Sequence, residues 1–336
     1  MPKFLIIQTA YLGDVVLATS VVEKLHEYFP DAQIDFLLRK GNERLLSNNP
    51  YINKLWIWDK KKGKYKNLLQ MAVNIRNTKY THVINLHRFI TSGFITFFSG
   101  AGSKRGFDKN PFSFCYTKKV KHIISPPYTV KPVLEIERYQ ALIDDITDKK
   151  AALPKMYPSV SDYEKIKQYQ AGKYICIAPS SVWYTKRYPV EKWVSLINVL
   201  PPDHTIYILG GPDDGHIASD IISRSENKNV VSLCGKLEFL QSAGLMQSAE
   251  MNYANDSGPL HFASATNAPM TGVFCSTERG YGFGPLSDNS RIVEVAERLY
   301  CKPCGIHGHQ KCPEGHFRCA WEIKDEQLLW WISKKI

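Results

Sequence analysis

One pattern constrains this chain more than any other. Short apolar runs of strand character are each followed by a stretch of helical periodicity. Strand-type runs fall at residues 4–7, 33–38, 54–58 and 82–86, with helical stretches at 15–29, stopping at Pro30, and at 67–77 and 135–146. A strand that re-enters a sheet after a helix runs parallel to the one before it, so this alternation predicts a parallel sheet covered on both faces. A polar connection containing Pro and Tyr occupies about 150–170, and the alternation then restarts. Strand runs follow at 174–178, 205–209, 230–233, 253–254 and 270–274, with helices at 190–200, from Gly210 and Gly211 to about 223, at 239–248 and at 259–265. The expected fold is α/β, two Rossmann-like doubly wound domains facing a cleft. The boundaries are expected at 1–165 and 166–320, with a C-terminal helix at 321–336 packing back on the first domain.

Composition narrows the class further. With 44% hydrophobic and 22% charged residues, the 336-residue chain is neither disordered, collagenous nor a coiled coil. No apolar stretch approaches the roughly 18 residues that span a bilayer. The opening MPKFLIIQTAYLGD reads as a buried strand and lacks a small-residue cleavage site. The expectation is a cytosolic protein able to touch a membrane surface. Its net charge of +11 is lopsided: residues 1–165 hold 26 basic and 15 acidic residues, and the remainder balances at 17 each. The densest runs are Lys60, Lys61 and Lys62 with Lys64 and Lys66, then Lys104 and Arg105, then Lys118, Lys119 and Lys121. These runs read as loop-like. Any one of them can be a solvated surface, but the asymmetry points to an anionic partner for the first half.

In doubly wound sheets ligands bind beyond the carboxyl ends of the strands, so the post-strand loops carry the chemistry. Residues 9–14 end in Gly13 and Asp14 at a helix start. There Asp14 is either a base kept ionised by the helix dipole or a helix cap. The loop APSSVWYTKRYP places Ser180, Ser181 and Thr185 around Lys186 and Arg187, donors able to hold phosphates; the alternative is an exposed basic turn. It lacks the glycines of a Walker loop. In LGGPDD, Gly210 and Gly211 leave room for a ligand, and Asp213 or Asp214 can accept from a ribose hydroxyl. In NDSGPLHFASA, Asp256 ends a strand, and Ser257, Gly258 and Pro259 open a helix whose free amides suit a diphosphate, with His261 one turn in.

Eight cysteines are present. Those at 115, 176, 234 and 275 lie in or near apolar segments and read as core residues. The other four crowd into CKPCGIHGHQKCPEGHFRC. Cys301, Cys304, Cys312 and Cys319 read either as ligands of a structural zinc or as reduced, packed thiols.

The order TAYLGDVVLATSVV, SSVWYTKRYPVEKW, GGPDD and NDSGPLHFASATNAPMTGVFC resembles the bacterial ADP-heptose:lipopolysaccharide heptosyltransferases over about residues 1–320. The Cys/His-rich tail also resembles that of some members. The resemblance implies the GT-B fold and an inverting glycosyltransferase, moving a heptose or related sugar from an ADP-sugar to the inner core of lipopolysaccharide. It implies Asp14 as catalytic base, Lys186 at the donor phosphates and Asp214 or Asp213 near the donor ribose. Asp256 would contact the donor sugar, and Ser257, Gly258 and His261 would form the diphosphate loop. Ser180, Ser181, Thr185 and Gly211 join this donor set. Tyr184 and Tyr188 depart from the family's usual residues in the lysine loop. No cofactor is expected for catalysis. The expected partners are an ADP-sugar, an anionic lipopolysaccharide core and the cytoplasmic face of the inner membrane.

Other classes fit less of the chain. A basic nucleic-acid-binding protein with a zinc-like tail leaves the loops of the second half unexplained, and no nucleic-acid partner is expected. A NAD-dependent oxidoreductase requires GxGxxG after the first strand, where the sequence reads QTAYLGD. A related glycosyltransferase with another nucleotide sugar and acceptor shares every motif above.

Overall fold

The structure is a computed structural model that describes residues 1–61 and 64–332. Lys62 of the first basic run lies outside the described residues. Contacts divide the chain into two compact units, Met1–Ile124 with Val133–Tyr157, and Ser125–Pro132 with Pro158–Ile336. Among the described residues no helix is long and apolar enough to cross a membrane.

The first unit holds strands β1 (Lys3–Ile7), β2 (Gln33–Arg39), β3 (Lys54–Trp58), β4 (His82–Asn85), β5 (Ser103–Phe107) and β6 (Lys118–Val120). They form one sheet in the order β3-β2-β1-β4-β5-β6, every pair parallel. Its helices are α1 (Leu12–Tyr28), α2 (Lys64–Thr78), α3 (Ile90–Phe98) and α4 (Glu135–Gln140). β1 lies at the centre, and its residues Phe4 to Ile7 are fully buried. A strand covered on both faces reads as a continuous apolar run, which is why KFLII shows no alternation. α1 ends where the Phe29 amide donates to the Leu25 carbonyl, just before Pro30. A proline ring blocks further helix there.

The second unit repeats the plan. β7 (Tyr174–Ala178), β8 (Thr205–Ile208), β9 (Val230–Ser232), β10 (Met251–Asn255), β11 (Met270–Val273) and β12 (Ser290–Val293) form a parallel sheet in the order β12-β11-β10-β7-β8-β9. Around it lie α5 (Val160–Ile166), α6 (Val190–Val199), α7 (Gly215–Arg224), α8 (Phe239–Gln247), α9 (Gly258–Ala265), α10 (Arg318–Trp321) and α11 (Asp325–Leu328). In each sheet the strand order reverses once, between β1 and β4 and between β7 and β10. Those are the two switch points at which such sheets bind ligands.

Several expectations are revised. The division falls at Tyr157, not 165, because α5 packs on α8: Tyr163 donates its hydroxyl to Gln247 Oε1 at 2.7 Å, and Ile166 is buried. Residues Ser125–Pro132 also belong to the second unit, where the Tyr128 amide donates to Glu278 Oε2 at 2.9 Å and its hydroxyl to the Lys302 carbonyl at 2.7 Å. The described part of the C-terminal segment, expected as a helix on the first domain, contributes to the core of the second unit. Leu328 and Trp331 sit in the core of the second unit with Trp193 and Tyr253, and Trp331 Nε1 donates to the Tyr253 hydroxyl at 2.6 Å. Two of the basic runs lie in strands, not loops. Arg105 is buried in β5 against Asp145, and Lys118 in β6 pairs with Asp144 and Asp145. α4 stops at Gln140, and turns carry the chain onward.

Because Trp331 is almost fully buried in that core, Trp331→Ala is expected to cost about 3–5 kcal/mol of unfolding free energy. Trp331→Phe keeps a ring and loses the Tyr253 hydrogen bond, about 1 kcal/mol. Chemical denaturation of the two variants measures both.

Candidate active site

The switch point of the second unit is built by two loops. Asn255, the fully buried last residue of β10, ties them together: its Nδ2 donates to the Pro179 carbonyl at 2.6 Å, and its Oδ1 accepts from the Tyr188 amide at 3.0 Å. The loop after β7 is thereby fixed at both ends. Within it, Lys186 reaches the residue after Asn255 and pairs with Asp256 Oδ2 at 2.6 Å. Thr277, beyond β11, donates its hydroxyl to the same oxygen at 2.7 Å. Burial pushes the Asp256 carboxyl up, but the Lys186 ammonium and the two hydrogen bonds outweigh it and hold the pKa below the usual carboxylate range.

Next to this pair α9 begins. Ser257 is its N-cap, extended at φ −154°, and its side chain caps no amide. With Pro259 in the first turn, the helix start leaves backbone N–H groups for an anion. Three buried polar atoms here have no hydrogen-bond partner among the described residues: Ser180 Oγ, Ser257 Oγ and His261 Nδ1. Burial pulls the His261 pKa down to about 4, with Asp256 opposing and Lys186 reinforcing the shift. His261 is therefore a neutral imidazole at pH 7, a hydrogen-bonding group without charge. A cluster of a cation, a helix start and unpartnered hydroxyls is fitted to an anionic ligand bearing several oxygens.

Other members of the expected donor set are used internally. The buried Thr185 hydroxyl accepts from Ser276 Oγ at 3.0 Å and from the His309 amide at 2.7 Å, so it braces the loop instead of offering itself to a ligand. The Ser181 carbonyl accepts from Arg187 Nε at 2.6 Å. Asp214 Oδ2 accepts from the Gly211 amide at 2.7 Å, closing the turn that opens α7, while Asp213 is exposed. The close approach in this turn is at Gly210, where a Cβ would lie 2.8 Å from Asp214 Oδ2 and 3.0 Å from Cys234 Sγ; at Gly211 it would meet only Asp214 Oδ2, at 3.7 Å.

The 301–319 segment folds onto the lysine loop. The Cys304 amide donates to the Ser276 carbonyl at 2.8 Å, and the Thr185 amide to the His309 carbonyl at 3.0 Å. Gly308, at φ +78°, lets the chain pass so close that a Cβ would sit 2.8 Å from Thr185 Oγ1. The four cysteines expected as zinc ligands lie near one another: burial first, then Cys304, Cys312 and Cys301, push up the Cys319 pKa. All four cysteines are free thiols, Cys319 is buried in the core with its pKa pushed up to about 12, and Cys304 donates to the Cys301 carbonyl at 3.1 Å. Among the described residues no group of three or more His, Cys, Asp or Glu side chains is placed to hold a metal ion.

The switch point of the first unit lies at the β1–α1 loop. Asp14, half-buried in the first turn of α1, accepts from the Tyr11 amide at 3.2 Å, so it does cap the helix. The loop before it is held by Lys60, which donates to the Thr9 carbonyl at 2.8 Å, and by Gln8, which donates to the Tyr139 hydroxyl at 2.9 Å. His87, just beyond β4, meets Thr9 Oγ1 through Nδ1 at 3.1 Å. Burial, helped by Lys60 and Arg88, pulls its pKa down to about 3. His87, Ser276 and Thr277 carry no local motif, and Asn255 opens the NDSGPLHFASA loop without a role of its own there. The strand order would have named all four, since each lies at the C-terminal end of β4, β10 or β11.

Comparison with known proteins agrees with this architecture. Residues 68–315 match the family described as glycosyltransferase family 9 (heptosyltransferase). The lipopolysaccharide heptosyltransferase 3 of Escherichia coli is 27% identical over 292 residues, 82% of this chain and 84% of the relative. The crystal structure of a family 9 glycosyl transferase from Veillonella parvula superposes with a TM-score of 0.85 at 19% identity, over 99% of this chain and 96% of that one. The E. coli heptosyltransferase WaaC with ADP-2-deoxy-2-fluoro heptose superposes with a TM-score of 0.73 at 16% identity, over 99% and 100% of the two chains. The fold is that of the GT-B glycosyltransferases. The chain belongs to glycosyltransferase family 9 and is a transferase enzyme.

Two outcomes are expected here. In unfolded chain a histidine titrates near 6.5, and in the fold His261 titrates near 4, so between those values the unfolded state binds more protons. Stability should fall as pH drops from 6.5 to 4, by on the order of 2–3 kcal/mol for this residue, and His261→Gln should flatten that slope in pH-dependent denaturation. Gly308→Ala should cost about 1–2 kcal/mol, from the left-handed backbone and the crowding of Thr185, and should lower the melting temperature.

Proposed function

We propose that this enzyme transfers a heptose, or a closely related sugar, from an ADP-sugar to the inner core of lipopolysaccharide with inversion. One observation carries the reading: the paired Lys186 and Asp256 stand beside an uncapped helix start and three unpartnered buried polar atoms at the switch point of the second unit. A diphosphate meets the Lys186 ammonium and the α9 amides there, and Ser180, Ser257 and His261 supply the remaining donors. Gly258, the first residue of α9, offers its amide without a side chain in the way. Asp256, held ionised, accepts from hydroxyls of the transferred sugar. Asp213, exposed beyond β8, is better placed for the ribose than Asp214, which spends one oxygen on its own turn. The likeness to a heptosyltransferase solved with an ADP-heptose analogue supports the donor, and the relative named for lipopolysaccharide supports the acceptor.

The reaction is a direct displacement. The acceptor oxygen forms its bond to the anomeric carbon as the bond from that carbon to the diphosphate oxygen breaks. The electron pair leaves with the diphosphate, whose growing charge the ammonium and helix amides stabilise. Asp14 takes the acceptor hydroxyl's proton. Its bond from the Tyr11 amide aims the carboxylate, so capping and catalysis are compatible roles for one side chain. The lysines of the first unit face the anionic core and the cytoplasmic surface of the inner membrane.

Asp14→Asn should lower kcat by about a hundredfold or more while leaving donor affinity unchanged. A thermal-shift series of ADP-, UDP- and GDP-sugars, followed by turnover of the parent and variant with ADP-heptose, reads both quantities. Stabilisation by UDP- or GDP-sugars alone would reject the donor, and near-parental turnover in the variant would reject Asp14 as the base.

A further inference from the structure

Helix α3 has the sequence ITSGFITFF, and its apolar residues do not all turn inward. Ile90 is 60% exposed, Phe97 39% and Phe98 40%; Phe89, its N-cap, is 63% exposed, and Phe114 on the neighbouring turn is 72% exposed. The rings of Phe97, Phe98, Phe112 and Phe114 form one surface. Phe97 lies 5.0 Å from Phe98, 5.7 Å from Phe112 and 6.0 Å from Phe114, centroid to centroid. A contiguous exposed aromatic face of this kind marks an interaction site.

The face is built, not frayed. Asn110, almost fully buried, donates to the His87 and Phe89 carbonyls at 3.1 Å each and accepts from the Phe112 amide at 2.9 Å. It thereby locks the start of α3 to the turn that carries Phe112 and Phe114. Gly93 makes room for this lock, since a Cβ there would fall 2.1 Å from Asn110 Oδ1.

The surrounding charge has one sign. Between residues 86 and 122 the sole acidic residue is Asp108. Arg105 and Lys118 are neutralised by Asp144 and Asp145. Arg88, Lys109, Lys119 and Lys121 are exposed and Lys104 half-exposed. Arg88 adjoins Phe89, and Lys109 adjoins the Asn110 lock. A second copy of the chain would bring these cations against their own kind, which disfavours self-association. Aromatic rings ringed by cations match a surface with an apolar interior and anionic headgroups.

We propose that the aromatic face of α3 and the 112–114 turn inserts into the interfacial layer of an anionic lipid bilayer, with Arg88 and the neighbouring lysines on the headgroups. This inference rests on the membrane contact in the proposed function and names the surface that makes it, but it needs neither the donor nor the acceptor of the reaction.

The test is flotation of the full chain with vesicles of two parts phosphatidylethanolamine to one part phosphatidylglycerol, beside vesicles of phosphatidylcholine alone. The parent should float with the anionic vesicles, at least about tenfold more than with the neutral ones, and less at high salt. Phe89→Ser with Phe114→Ser should reduce flotation about tenfold at an unchanged melting temperature. Phe89→Trp with Phe114→Trp should restore it and add blue-shifted tryptophan emission on binding. The serine variant should keep parental turnover on a deacylated, water-soluble core acceptor. No flotation of the parent, flotation of the serine variant within about twofold of the parent, or self-association that the serines abolish without any vesicle binding would each overturn the proposal. A parent that floats by way of these rings but transfers nothing from ADP-heptose would leave it standing and remove the proposed function instead.

Discussion

A lysine and an aspartate, both largely withdrawn from water, meet at 2.6 Å beyond the ends of β7 and β10, and much of the second unit is arranged around that contact. Removing two charges from water is costly, and the attraction between them offsets this only with good geometry and with the remaining polar atoms satisfied. The chain meets those conditions in layers. Asn255 fixes both ends of the loop that delivers Lys186. Thr277 brings a hydroxyl from the next strand to the shared carboxylate oxygen. Behind the lysine, Thr185 is held by Ser276 and by the main chain at His309, so the 301–319 segment supports the loop from outside. The pair is thus ready-made before any ligand arrives, and an incoming diphosphate meets a fixed cation instead of having to order one.

The two sheets share one strand order, and each places an uncharged histidine at its switch point. His87 in the first unit and His261 in the second are both buried and both held well below the ordinary imidazole range. Each also keeps one ring nitrogen without a partner among the described residues, Nε2 in His87 and Nδ1 in His261. A charged imidazole beside Lys186 would add repulsion to the cost of burial. A neutral one still hydrogen-bonds, and leaves the fixed positive charge to the lysine. In the first unit Lys60 and Arg88 bias His87 the same way, so both switch points separate charge from hydrogen bonding by the same physical means.

The sequence was most legible where burial is two-sided. β1 and β7 read as uninterrupted apolar runs because they are covered on both faces, and their neighbours followed from the same signal. β5, β6 and β12 escaped that reading. SKRGF and KKV carry cations whose acidic partners, Asp144 and Asp145, lie far along the chain, and β12 is a short edge strand with Arg291 exposed. Hydropathy sees the charge and cannot see its partner. α3 was missed for the opposite reason, since its apolar residues carry no clear polar face. In the site, Lys186, Asp256 and Ser257 could be found because strand-loop-helix patterns mark helix starts. The internal use of Thr185 depends on His309, 124 residues away, and no local pattern records that.

The charge asymmetry shows how far composition can be taken. The first half of the chain carries all of the excess, yet part of its basic complement is tied up within the unit. Arg105 and Lys118 close on Asp144 and Asp145, Lys24 on Glu27 and Asp148, and Lys155 on Glu23. Such pairs project little field, because each cation has its counter-charge within a few ångströms. The field that reaches solvent comes from what is left over. The exposed cations of the first unit include Lys54 in β3, Lys61 and Lys66 near the start of α2, Arg76 and Lys79 near its end, Lys149 and Lys150, and Arg88, Lys109, Lys119 and Lys121 around α3 and β6. Net charge alone would spread the attraction evenly over the first unit. Subtracting the pairs still leaves Arg88, Lys109, Lys119 and Lys121 beside a large group of exposed aromatic rings, so electrostatic and apolar contributions to a surface contact there fall in the same place.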